Sequence, residues 1–148
     1  MTLKKLEHVG VVVHDLEAAK AFFIALGLEL EGEASLHGDT VDRITGLKGV
    51  RTDIAVLRPP DGHGGVELIK YLSPSQGGDA RVPMNTPGLR HLVFSVEDID
   101  DVLERLRQHG GELVGELVQY EDTYRLCYVR GPEGIVVELA EELVRRKA

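Results

Sequence analysis

The chain has 148 residues, 43% of them hydrophobic, and a single cysteine, Cys127; this is the make-up of one folded domain and sets aside disorder and internal disulfides. A formal net charge of −8 without a basic cluster speaks against nucleic acid and anionic membrane surfaces as partners. No apolar run approaches the roughly 18 residues of a membrane-crossing helix, and MTLKKLEHVG has no apolar signal core, so the expected compartment is the cytoplasm.

Leu6–Val13 is a β-branched apolar run and reads as a strand. Asp15 follows as a helix N-cap, and Leu16, Ala19, Phe22, Phe23 and Leu26 recur at helical spacing before Gly27 stops the helix. A second strand starts at Leu28–Glu31, and Ala34–Gly49 reads as irregular, with a short helix around Val41, Ile44 and Leu47 that ends at Gly46. Arg51–Leu57 alternates, with Thr52, Ile54 and Val56 on one side and Arg51, Asp53 and Ala55 on the other, and predicts a strand. Pro59-Pro60-Asp61-Gly62 is a turn, and Gly65–Tyr71 is the strand that closes the first half.

Residues 73–87, rich in Pro, Gly, Ser and Asn, form a linker. The plan then repeats: strand Arg90–Val96, helix Asp98–His109, and strands near Glu112–Gln119, Thr123–Arg130 and Ile135–Ala140. Residues 142–148 are a charged tail.

The repetition is literal. Leu6–Glu33 and Leu89–Glu116 align without a gap at an offset of 83, with nine identities in twenty-eight positions, among them His8 with His91, Asp15 with Asp98 and Gly27 with Gly110. The closing stretches match too: Arg58, Pro60 and Gly62 meet Arg130, Pro132 and Gly134, and Val66-Glu67-Leu68 meets Val137-Glu138-Leu139. A repeat is one supersecondary unit that needs a neighbour to bury its apolar face. The expected fold is therefore α+β: two tandem βαβββ modules, about 5–72 and 88–141, related by pseudo-twofold symmetry, with mixed sheets curled around a cleft.

Each module opens with a His in an apolar strand and closes with a Glu in another. Alternation puts His8 with Gly10 and Val12, Glu67 with Ile69, His91 with Val93 and Ser95, and Glu138 with Ala140. A carboxylate among apolar neighbours calls for a partner or a cation. Pseudo-twofold symmetry would bring two imidazoles and two carboxylates together as a divalent-metal site, where the cation also offsets carboxylate repulsion.

These residues and their duplicated setting resemble the vicinal oxygen chelate superfamily, which includes glyoxalase I, methylmalonyl-CoA epimerase, extradiol dioxygenases and drug-binding proteins. The likeness covers nearly the whole chain and implies one domain over residues 1–148. It also implies His8, Glu67, His91 and Glu138 as ligands of one divalent ion, whether Ni, Co, Mn, Fe or Zn. An octahedral ion with four protein ligands keeps two adjacent positions for substrate oxygens, and Glu138, then Glu67, is the expected base for a proton next to a carbonyl.

The implied activity is that of a metal-dependent lyase or isomerase of glyoxalase or epimerase type, acting on a small oxygen-rich substrate as a homodimer. A metal-dependent ring-cleaving dioxygenase and a non-catalytic drug- or metabolite-binding protein are the alternatives. Arg51, Tyr120, Tyr124 and Arg125 are the expected substrate-binding residues. The likeness to epimerases has two departures: Ala34–Val66 holds no Glu, which leaves Asp42 or Asp53 as the second acid such an enzyme needs, and the doubled His common after the linker is missing, since Arg90 precedes His91.

Overall fold

The computed structural model describes residues 2–78 and 80–143 and divides into two compact units, Met1–Asp79 and Ala80–Ala148. The last five residues of the charged tail lie outside the described residues. The fold is mixed α+β, with one mixed sheet in each unit, and neither sheet closes into a barrel among the described residues.

The first unit runs β1 (Val9–Val12), α1 (Leu16–Leu26), β2 (Glu29–His37), α2 (Asp39–Thr45), β3 (Arg51–Arg58) and β4 (Val66–Ser73), with the sheet order β1-β4-β3-β2. β1 is parallel to β4, as a strand–helix–strand connection requires, and the other pairs are antiparallel. The second unit runs β5 (Leu92–Ser95), α3 (Ile99–Arg107), β6 (Glu112–Leu113), β7 (Val118–Tyr120), β8 (Tyr124–Arg130) and β9 (Val136–Glu142). Its order is β5-β9-β8-β6, with β7 also on β8 and β5 parallel to β9.

The helices are set by the caps that the repeat shares. Asp15 accepts from the Ala18 amide at 3.0 Å and Asp98 from the Asp101 amide at 3.1 Å. α1 packs on β3 and β4 through Ala19, Phe22, Phe23 and Leu26. α3 packs on β8 and β9 through Ile99, Val102, Leu103 and Leu106. Under α1 lie Ala55, Leu57, Val66 and Leu68, and under α3 lie Cys127, Val129, Val137 and Leu139, all buried. The other face of each sheet is exposed: Val12 is 60% accessible in the first unit and Val93 54% in the second.

Several elements depart from expectation. β2 extends to His37, so the irregular segment begins later; all nine residues are exposed, and pairing with β3 along the whole strand holds it. On β3 the buried face is that of Ala55 and Leu57, while Ile54 and Val56 lie on the exposed face. The stretch Glu112–Gln119 is two short strands interrupted around Gly115. β1 and β5 begin one residue after His8 and His91, so both imidazoles stand at strand entrances.

Two arginines at equivalent places in the repeat each clamp a distant stretch of main chain. Arg58 donates to the Glu7 carbonyl at 3.1 Å and the Gly64 carbonyl at 2.9 Å, and pairs with the Glu7 and Glu31 carboxylates. Arg130 donates to the Ala80 carbonyl at 3.2 Å and the Val82 carbonyl at 2.8 Å. There Ala80 passes so close to Gly134 that a Cβ would lie 2.5 Å from its carbonyl carbon. The middle of the expected linker, at residues 80–82, is thus bound to the second unit.

Candidate metal centre

Parallel pairing of β1 with β4 sets Gly10 beside Glu67, and that of β5 with β9 sets Val93 beside Glu138. Each histidine, two residues before those positions, reaches along the exposed face to its glutamate. His8 Nε2 lies 3.3 Å from Glu67 Oε2, and His91 Nε2 lies 3.3 Å from Glu138 Oε1. All four side chains are partly buried, between 17% and 36% accessible. The four ligand positions read from the sequence thus fall into two pairs of equal geometry, one in each unit. Among the described residues, no group of three or more His, Cys, Asp or Glu side chains is gathered in a form that could hold a metal.

The donor set fits a divalent cation. With bonds of ~2.0–2.2 Å at right angles, neighbouring donors around an ion stand about 3 Å apart, close to the separation in each pair. Imidazole and carboxylate together suit the first-row divalent metals.

The surroundings of the two pairs differ. Beside Glu67 in the β3–β4 register stands Val56, which with Gly32, Ala34 and Ile54 floors a hollow of about 340 Å³. Its rim charges are engaged: Arg58 pairs with Glu31, and Lys20 with Glu33. Beside Glu138 in the β8–β9 register stands Tyr128, whose ring also meets His91 edge-on at 4.9 Å and 72°. Burial, the charge of Glu138 and a hydrogen bond to its carboxylate push the Tyr128 phenol above its ordinary pKa. Sequence reading missed Tyr128. Its signal was position: it shares a face with Glu138 only once β8 is paired with β9.

Of the expected substrate-binding residues, Tyr120 and Tyr124 face each other across β7 and β8, on the same side as Tyr128 and Glu138. Arg125 is on the other side, where it pairs with Asp100 of α3 at 2.7 and 3.2 Å; that pairing raises the Arg125 pKa and lowers that of Asp100. Arg51 is exposed at the head of β3, in register with His37 and Ser73. Neither arginine is brought to a His–Glu pair.

The carboxylates proposed as a second acid are used elsewhere. Asp42 accepts from the amides of Gly49 at 3.0 Å and Val50 at 2.8 Å, and Asp53, on the α1 side of β3, accepts from the Ser35 hydroxyl at 2.6 Å. Cys127 is buried, and burial raises its thiol pKa, so it is an inert part of the core.

The model of the Glyoxalase/Bleomycin resistance protein/Dioxygenase superfamily matches residues 5–139. The chain belongs to this superfamily. It is similar to the crystal structure of a glyoxalase family protein from Bacillus cereus, with 47% identity, a TM-score of 0.93 and 97% of each chain covered. A glyoxalase family protein from Enterococcus faecalis is 26% identical with a TM-score of 0.63, over 95% of this chain and 100% of that one. YaeR, an uncharacterized protein of Escherichia coli K12, is 28% identical over 141 residues, 95% of this chain and 98% of its own length. The superfamily includes many enzymes, and its members commonly bind a divalent metal. No described helix is long and apolar enough to cross a membrane.

Proposed function

We propose that this superfamily member is a divalent-metal-dependent lyase or isomerase of glyoxalase type, with His8, Glu67, His91 and Glu138 holding one ion. The observation that supports it is the recurrence of one His–carboxylate pair, at 3.3 Å, on the exposed face of the sheet in each unit. In this reading the imidazole and carboxylate of each pair are metal ligands. A bound Ni, Co, Mn, Fe or Zn ion would supply charge that eases loss of a proton next to a carbonyl. The chain's own residues do the rest.

Glu138, and after it Glu67, is the carboxylate expected to take and return that proton. Glu138 is restrained by His91 and Tyr128, whereas Glu67 has His8 alone among the described partners, so Glu67 is the freer to move. The apolar floor of Gly32, Ala34, Ile54 and Val56 suits the uncharged body of a small substrate, with Tyr120 and Tyr124 as further binding residues. The engagement of Asp42 and Asp53 in structural hydrogen bonds favours glyoxalase over epimerase chemistry. The same reading has the protein working as a homodimer in the cytoplasm.

The test is turnover after metal loading. The protein, stripped and reloaded in turn with each of the five ions, is assayed with the hemithioacetal of methylglyoxal and glutathione, with methylmalonyl-CoA, and with catechol. Turnover of the hemithioacetal, absent in metal-free protein, is expected. Ring cleavage of catechol with iron alone would replace this reading with a dioxygenase, and no turnover of any compound with any ion would contradict an enzyme of this class.

A further inference from the structure

The two His–Glu pairs match in donor atoms and distance, yet only one is braced. Tyr128 stands beside Glu138 in the β8–β9 register, on the same face of the sheet, and its ring edge lies against His91 at a centroid distance of 4.9 Å. One side chain thus stands against His91 and beside Glu138. The equivalent neighbour of Glu67 is Val56, which has no polar atom to offer a carboxylate and no ring to set against His8.

We infer that Tyr128 is a positioning residue that fixes the Glu138 carboxylate and the His91 ring for metal binding, and that the second unit's pair is the pre-organised half of the site. The inference rests on the metal-binding reading above. Its physical basis is the loss of freedom on ligation. A glutamate side chain gives up considerable rotamer freedom when held. A side chain that already stands beside the carboxylate and against the imidazole meets part of that cost before the cation arrives, and outer partners of metal ligands commonly change affinity by about 10–100-fold. The edge-on ring limits rotation of the imidazole in the same way.

Tyr128 is 36% accessible, and phenylalanine keeps its ring, so Tyr128→Phe removes the hydroxyl from a site with room to spare. Calorimetric titration of the full, metal-stripped chain with Co(II) is the direct test, with Tyr71→Phe as a control for deletion of a hydroxyl elsewhere. The expected result is a roughly 10-fold or larger loss of Co(II) affinity in Tyr128→Phe, unaltered affinity in Tyr71→Phe, and unchanged thermal unfolding of both metal-free variants. In the unaltered chain, Zn(II) should also perturb the ultraviolet absorption of one tyrosine, a signal missing from Tyr128→Phe. Equal Co(II) affinity in Tyr128→Phe and the unaltered chain would overturn the role of Tyr128 and leave the metal site standing. Failure of the unaltered chain to bind Co(II) or Zn(II) would overturn both.

Discussion

The first and second units carry the same pair of donors and differ in what surrounds them. In the first unit His8 follows a chain segment pinned by Arg58, and the register neighbour of Glu67 is Val56, which lines an aliphatic hollow. In the second, the Arg130 clamp grips residues 80–82, well away from His91 in sequence, and the Tyr128 ring lies against His91 and beside Glu138. What the two units share is a His–Glu pair at 3.3 Å; what differs is the side chain beside the glutamate, Val56 in the first and Tyr128 in the second.

The largest effects should come from the donors, and should be equal if the pairs share one ion. His8→Ala and His91→Ala are each expected to lower metal affinity by more than the roughly 100-fold seen for outer-shell changes, as measured by competition with a chelator. A large loss in one and little in the other would break the equivalence. Next come the cores. Phe23 and Leu106, equivalent in the repeat and both fully buried, anchor α1 and α3. Phe23→Ala should cost about 3–5 kcal/mol and Leu106→Ala about 2–5 kcal/mol in denaturant unfolding. A loss below 1 kcal/mol at either would show that its helix does not depend on that packing.

The helix caps sharpen the comparison at a smaller scale. Asp15→Ala and Asp98→Ala should each cost about 1 kcal/mol, since the two hydrogen bonds differ by only 0.1 Å. The smallest effect is electrostatic. Arg125 holds the Asp100 carboxyl below its ordinary pKa in the second unit, as Arg58 does for Glu7 in the first. A lowered folded-state pKa favours the folded form above the ordinary carboxylate pKa, and that contribution fades as pH falls through the lowered value. The stability gap between the unaltered chain and Asp100→Asn should therefore be constant at neutral pH and close on the acid side. Glu7→Gln should behave alike, and a gap that widens with acid would reverse the assignment.

The repeat was legible because its signals are local. Asp15 and Asp98 cap helices within three residues, and glycines at 27 and 110 sit at positive φ where the helical segments finish. The His and Glu positions were legible for the same reason, as single polar residues in apolar runs. What stayed hidden depends on pairing between distant strands. β2 has no buried residue to give it a period, so its reach to His37 follows only from β3 beside it. Arg125 and Tyr128 lie three residues apart on one strand, and the β8–β9 register decides that the first turns to α3 and the second to Glu138. Ile54 and Val56 look like core in the sequence, yet they face the exposed side that carries Glu67.

The central proposal is that both matched His–Glu pairs are metal ligands. Elemental analysis of protein purified without chelator, beside Glu67→Ala and Glu138→Ala, tests it most directly. The account predicts one divalent ion per chain, lost from each variant alone. Two ions per chain, with each variant losing only one, would mean separate sites, and an unaltered chain without metal even after loading would contradict the claim outright.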